Sequence, residues 1–324
     1  MFSVVIATRD RPQLLRRALQ SVAAQQGAAA ELILVDDSSS EAVRAEHISM
    51  LREIMPCGTV VALPHVSGGH GPGLARNIGI ERATRPFVAF LDDDDEWIDP
   101  AHLETAARAI ERLGLDLYIT DQEAVRADGS RVGGPVWSED LGRLLPQAGQ
   151  VAREGTFLVT PDQVLQSSGF AHLNTTIVRR ALAWDRLRGF DPELRYEEDR
   201  DFFLRAIDAA GSIGYAPRLV ARHHVPGERS SASTIPAEEK ERCRMRVLDK
   251  AIGSARHVAI RSRCLRDRAY EFKKLSIREA ERGEFRDAIR HGRAALRDRF
   301  GLKWLIFMAG LYVRSAAARR SQPG

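Results

Sequence analysis

Cysteine is scarce in this 324-residue sequence: Cys57, Cys243 and Cys264 are widely separated and have no metal-ligand spacing. No disulfide framework or thiolate metal site is expected, and the usage fits a reducing compartment. Long hydrophobic runs are missing too. No uninterrupted apolar stretch approaches the roughly 20 residues that span a bilayer. The N-terminus lacks a basic region leading into an apolar segment, since Phe2 to Ala7 already reads as a strand. No signal peptide is expected, and the chain reads as cytoplasmic. Nucleotide fingerprints are absent as well. The glycine-rich stretch Ser67 to Gly73 matches neither G-x-G-x-x-G nor the phosphate loop ending in Gly-Lys-Ser/Thr. It serves equally as a backbone turn or as a ligand contact.

Positive charge is short over most of the chain and concentrated at its end. Residues 1–239 hold 25 Lys+Arg against 35 Asp+Glu, a balance of −10, whereas residues 240–324 hold 23 against 9, a balance of +14. The shift near Pro236 predicts a boundary, with one domain over 1–235 and a basic helical region over 236–324. A basic tail on an acidic body calls for an anionic partner, a membrane surface or the body itself, and no nucleic acid is expected.

The sequence is organised around Phe87 to Asp99. An apolar run fit for a buried strand stops at four consecutive aspartates, Asp92 to Asp95. Carboxylates crowded at a strand end repel one another and lose hydration, which predicts a divalent cation with oxygen ligands there; an exposed acidic turn is the plainer alternative. In α/β sheets, ligands bind outside the carboxyl ends of strands, where this run lies.

The preceding residues alternate strand and helix. Strands are expected at Ser3–Ala7, Glu31–Val35 and Thr59–Leu63, with helices over Pro12–Gln25 and Glu41–Ile54 between them, so a mainly parallel sheet follows. After the acidic run come a helix over Pro100–Leu113, a strand over Asp116–Thr120, a weakly patterned stretch to Thr160 and a strand at Asn174–Val178. A second acidic cluster, Glu197 to Asp201, opens a helix whose buried face is Phe202, Phe203 and Ile207; helix-start electrostatics alone can account for these acids. A strand over Ile213–Val220 leads to Arg222-His223-His224 in a loop, where one histidine is a metal-ligand candidate.

The motifs S-V-V-I-A-T-R-D-R-P, L-I-L-V-D-D-S-S-S, G-x-x-x-A-R-N-x-G-I (Gly71 to Ile80), F-L-D-D-D-D-E-W and G-F-D-P-E-L-R-Y-E-E-D-R-D-F-F-L-R occur in this order. Over about residues 2 to 230 the chain resembles the family 2 glycosyltransferases, inverting nucleotide-sugar enzymes of GT-A fold. The resemblance implies a donor site at Ala7, Thr8, Asp36, Asp37, Arg76, Asp92 and Asp93, with Asp37 on the nucleobase. It implies a divalent metal, Mn2+ or Mg2+, held by Asp94 with Asp92 and His224. It makes Asp199 of the Glu198-Asp199 pair the general base. At His224 the chain departs from the commoner Arg-x-His-Pro-Gly, because Val225 precedes Pro226. The processive Gln/Arg-x-x-Arg-Trp element is absent, which favours transfer of one or a few sugars to a saccharide or lipid-linked acceptor in cell-surface polysaccharide or glycolipid assembly. A sugar nucleotidyltransferase and a non-catalytic sugar-nucleotide-binding scaffold are the alternatives. The former should carry a glycine-rich basic loop after the first strand, and Thr8 to Arg11 has no glycine.

The tail reads as helices, with an antiparallel pair meeting at Arg282-Gly283. Trp304 to Val313 is then wholly apolar, flanked by Lys303 and by Arg314, Arg319 and Arg320. It is about half the length of a bilayer span, so it should lie in a membrane interface or pack against protein, either in the core or between copies in a homo-oligomer. The basic flanks and the terminal Trp and Tyr favour anionic lipid on the inner face of the cell membrane.

Overall fold

The computed structural model describes residues 1–225 and 235–320, with side chains to residue 316. Pro226 and the side chains of Arg319 and Arg320 lie outside the described residues. Two compact units are present, Met1–Cys243 and Arg244–Gly324.

The first unit opens with β1 (Phe2–Thr8), α1 (Pro12–Ala23), β2 (Ala30–Asp36), α2 (Glu41–Ile54), β3 (Thr59–Ala62), α3 (Pro72–Arg82) and β4 (Phe87–Phe90). β5 (Glu96–Trp97), α4 (His102–Leu113), β6 (Leu117–Val125), α5 (Leu141–Gln147), β7 (Phe157–Val159), α6 (Pro161–Val164), β8 (Thr176–Arg179), α7 (Glu198–Ala209) and β9 (Ile213–His224) follow. The sheet order is β3-β2-β1-β4-β8-β6-β9-β5, with β7 on β9. Parallel pairing of β1 with β2 and β4, of β2 with β3, and of β6 with β9 makes the sheet mostly parallel. β1 is apolar and buried, as a strand covered on both faces must be. α1 begins with Pro12, whose fixed φ suits a first helical turn, and turns Leu15, Ala18, Leu19 and Val22 into the core.

Glycine sets one contact that matters downstream. A Cβ at Gly79 on α3 would lie 2.3 Å from Val5 Cγ1, so only glycine lets α3 settle on β1 at this depth. That seating fixes Arg76 and Asn77 one turn earlier. Asn77 grips the backbone of Phe190 from both sides, accepting from its N–H at 2.7 Å and donating to its carbonyl at 2.9 Å. The A-R-N-x-G and G-F-D-P motifs are two halves of one clamp.

β8 runs antiparallel between β4 and β6 within the mostly parallel sheet. Two expectations need correction. The strand expected from Asn174 starts at Thr176, because the Thr175 and Thr176 hydroxyls both bond back to the His172 carbonyl and curl Leu173–Thr175 into a 3-10 turn. His223 and His224 are not in a loop: β9 pairs with β6 out to Val125 and carries both histidines as its last residues.

α8 (Ala237–Ser254) starts beside the composition shift, and the boundary between the units falls within it. The second unit continues with α9 (Val258–Glu281), α10 (Phe285–Asp298) and α11 (Leu302–Arg320). α9 and α10 form the expected hairpin, turning at Gly283 with φ +79°. α11 divides its apolar residues between two faces. Trp304, Met308 and Leu311 pack with Ala280, Ala288 and Ala295. Gly292 makes room for this, since a Cβ there would meet Met308 Sδ at 2.1 Å. Leu302, Ile306 and Val313 remain 65%, 65% and 70% exposed. No helix among the described residues is long and apolar enough to cross a membrane.

Candidate active site

The four aspartates leave the end of β4 in a tight turn, closed by the Asp95 N–H on the Asp92 carbonyl at 3.2 Å. Each carboxylate has a different neighbourhood. Asp92 accepts from Arg76 at 2.7 Å, and its backbone N–H bonds Asn174 Oδ1 at 3.0 Å. Asp93 is held by the Thr8 hydroxyl at 2.7 Å and Arg11 at 3.1 Å. Asp95 is fully buried, taking the Asn174 amide at 2.6 Å, the His223 ring at 2.8 Å and the His224 backbone N–H at 2.8 Å. Among the described residues the Asp94 carboxylate has only a shared contact with Arg11, at 3.1 Å.

Ionisation follows from these surroundings. Burial would raise the Asp92 carboxyl, but Arg76 and His172 outweigh that and hold it at about 2. For Asp94, burial and repulsion from Asp93, Asp95 and Asp92 act together and push it up to about 7. A site with one carboxylate so crowded has a strong electrostatic preference for added positive charge.

The second acidic cluster joins the first through one side chain. Arg76, buried, donates to Asp92 with one nitrogen and to Glu198 with the other, each at 2.7 Å. This brings the first turn of α7 to the aspartate turn, although the two lie about a hundred residues apart in sequence. Glu198 is neutralised by that pair. Asp199, next to it, accepts only the Arg200 backbone N–H, at 2.7 Å, and has no ion pair among the described residues. Burial pushes it up to about 6, with the charges of Asp92 and Glu197 adding to the effect. Asp201 belongs instead to a bridge with Arg205 at 2.7 Å.

Thr8 reaches the aspartate turn directly, and Ala7 precedes it on β1, half-buried. Asp37 lies at the end of β2, where its two oxygens accept the backbone N–H groups of His70 and Gly71 at 2.8 and 3.0 Å. The glycine-rich stretch is therefore draped on Asp37; Gly69 approaches so closely that a Cβ would lie 2.7 Å from Asp37 Oδ2. Asp36 is fully buried and engaged by His47 at 2.8 Å and the Ser39 N–H at 3.0 Å, so it supports the strand end from behind. The His224 ring nitrogen lies 3.1 Å from Glu96.

Among the described residues, Asp92, Asp95 and His172 each offer one ligand atom, all within 4.8 Å of one another. Two carboxylate oxygens and an imidazole nitrogen suit a divalent ion such as Mn2+ or Mg2+. Neither Asp94 nor His224 belongs to this group. His172, Asn174 and Arg11 escaped the sequence reading: each acts on the turn from about eighty residues away, and no local pattern singles them out.

Residues 3–156 match the family model described as "Glycosyl transferase family 2". Succinoglycan biosynthesis protein ExoO of Rhizobium meliloti is 28% identical over 68% of this chain and 60% of its own length. Succinoglycan biosynthesis protein ExoW of the same organism is 31% identical over 63% of this chain and 65% of its own length. The match thus spans less than two thirds of either relative. A crystal structure of residues 1–349 of Staphylococcus aureus TarS in complex with UDP-GlcNAc superposes with a TM-score of 0.71 at 20% identity, covering 97% of this chain and 88% of that one. A Pyrobaculum calidifontis mannosyltransferase, PcManGT, in complex with GDP-Man and Mn2+ gives 0.60 at 17% identity, over 99% and 81%. These likenesses show the GT-A fold.

Proposed function

We propose that this chain, whose residues 3–156 match the family 2 glycosyltransferase model, transfers a sugar from a nucleoside-diphosphate donor to an acceptor hydroxyl with inversion at the anomeric carbon. The carrying observation is the Arg76 bridge, which sets the unpaired Asp199 beside the aspartate turn. In a single displacement, the acceptor hydroxyl attacks the anomeric carbon while its proton passes to the Asp199 carboxylate; the bond from that carbon to the diphosphate oxygen breaks, and the nucleoside diphosphate departs with the electron pair. Thr8 and Arg11 hold Asp93 in place for the donor ribose, and Asp37 lies where the nucleobase would be read. Asp92, Asp95 and His172, or the crowded Asp94, would hold a divalent cation, which would supply positive charge against the diphosphate. The names of the succinoglycan relatives favour transfer into a polysaccharide, and the missing Gln/Arg-x-x-Arg-Trp element favours the addition of one or a few sugars.

The test is a panel of UDP-, GDP- and dTDP-sugars with Mn2+ or Mg2+, scored by thermal shift and by product. Stabilisation by at least one donor and release of nucleoside diphosphate are expected. Release of pyrophosphate instead would make the chain a nucleotidyltransferase, and donor binding without turnover would make it a scaffold.

The same panel decides the metal ligand. His172→Ala and Asp94→Asn are compared by calorimetric titration of Mn2+ into the protein with UDP present. Loss of a ligand from the true set is expected to weaken Mn2+ binding by about 10-fold or more. Whichever variant retains wild-type affinity is removed from the ligand set.

We further propose that the exposed face of α11 rests on anionic lipid. Leu302, Ile306 and Val313 form its apolar contact, and the exposed Lys303 and Arg314 lie alongside. Truncation at Phe300 is a poor test, because it also strips Trp304, Met308 and Leu311 from the helical core. Ile306→Ser with Val313→Ser leaves that core intact. The doubly substituted chain is expected to lose most co-sedimentation with phosphatidylglycerol vesicles, and wild-type binding should fall with salt. Equal binding by both forms would assign this face to contacts between copies of the chain.

A further inference from the structure

Trp137 is used by nothing described so far, yet it is held with care. It lies in the irregular segment between β6 and α5, where most neighbouring residues are exposed. Its backbone N–H donates to Glu139 at 2.8 Å, and its carbonyl accepts from the Ser167 hydroxyl at 3.0 Å. Gly169 comes so near that a Cβ would lie 2.4 Å from that carbonyl oxygen. The indole, half-buried, stands edge-on to His172 at 5.5 Å and to His223 at 5.2 Å, and those two rings are 5.4 Å apart. His172 is 3.7 Å from Asp92, and His223 is 2.8 Å from Asp95. Trp137 is thus one side chain removed from the aspartate turn. Its indole N–H has no partner among the described residues. Nearby, the Gln122 amide bonds Asn174 at 3.3 Å through its oxygen, while its nitrogen is buried without a partner.

Sheet order says which substrate this ring faces. Asp37 follows the end of β2 and Thr8 ends β1, so the nucleotide side of the proposed site lies on the β2-β1 side of β4. Trp137 follows β6 and touches the last residues of β9, on the other side of β4. The aspartate turn stands between them. Apart from the buried Phe190 and Trp97, the described side chains around that turn are charged or hydrogen-bonding, suited to a diphosphate and to hydroxyl groups. The Trp137 indole is the broad apolar face among them. A pyranose ring presents C–H bonds on one face, and these carry slight positive charge that complements the negative face of an aromatic ring.

We propose that the indole of Trp137 is the platform on which the acceptor's sugar ring stacks, opposite the nucleotide, so that the acceptor is a carbohydrate rather than a non-sugar alcohol. This rests on the glycosyltransferase reading of the site, and the test separates the two. Saturation-transfer NMR is run with methyl β-glucoside, β-galactoside, α-mannoside and N-acetyl-β-glucosaminide, with and without UDP and Mg2+. Wild type, Trp137→Phe and Trp137→Ala are compared, and UDP affinity is measured separately by calorimetry. At least one glycoside should receive saturation on the protons of one ring face. The signal should persist in Trp137→Phe and weaken about tenfold in Trp137→Ala, with UDP affinity within about twofold of wild type. Equal signals in wild type and Trp137→Ala, no glycoside signal from wild type, or a parallel loss of UDP affinity would each overturn the platform. If wild type fails to bind UDP while the Trp137-dependent signal remains, the platform stands and the glycosyltransferase reading falls.

Discussion

Asp199→Asn is expected to lower turnover by roughly a factor of 100 to 10,000, the usual worth of a positioned general base, while donor affinity stays near wild type. Asparagine keeps the shape and the bond from the Arg200 N–H but cannot take the acceptor proton. The wild-type pH profile should carry the same signature. Burial pushes Asp199 up to about 6, and only the ionised form acts as a base, so the rate rises with pH through about 6 and falls about tenfold per unit below it. The measurement is steady-state transfer from pH 5 to 8 for both forms. Activity in the asparagine variant within a few-fold of wild type would move the base elsewhere. Glu198 is a poor successor, since Arg76 already occupies it.

The largest loss of stability is expected at Arg76. It neutralises Asp92 and Glu198 at once, in a place too buried for water to replace it. Arg76→Met keeps most of the volume and leaves two carboxylates uncompensated, which costs about 3–5 kcal/mol when one partner of a buried pair is removed. Asp92, held at about 2 by the arginine, then has burial acting on it with its main cation gone, and Glu198 is already raised by burial. Both take up protons more readily in the variant, so its deficit should be greatest at pH 7 and shrink toward pH 5. Urea denaturation of both forms at the two pH values checks this. An equal deficit at both would point to lost packing rather than lost charge. Donor binding should suffer as well, because Asp92 and the first turn of α7 are no longer tied together.

How much of this was legible in the sequence depends on how far apart the cooperating residues lie. β1, β2 and α2 were read nearly to their ends, because their apolar periods are carried by contiguous residues. Asp92 to Asp95 and Glu198-Asp199 were visible as charge at element ends. Their division of labour was not: Asp95 looks like its neighbours in sequence but is anchored by Asn174, His223 and His224, which arrive far later in the chain. Asp36 and Asp37 differ by one position and face opposite ways, and only the strand's two-residue period distinguishes them. In α11 the uniformly apolar run hid a two-sided helix, because the buried side is defined by the partner helices α9 and α10.

The placement of β8 bears on how the protein comes to be made. β1, α1, β2 and β4 draw on the first ninety residues and can condense early. The strand that belongs beside β4, however, is β8, and the anchors of Asp95 sit at residues 174, 223 and 224. A growing chain therefore carries Asp95 without its β9 partners until some 130 further residues have left the ribosome. Long-range closures of this kind are the slow ones in folding. The aspartate turn is then among the last features to mature, and a chain cut short before β9 lacks the His223 and His224 contacts that anchor Asp95.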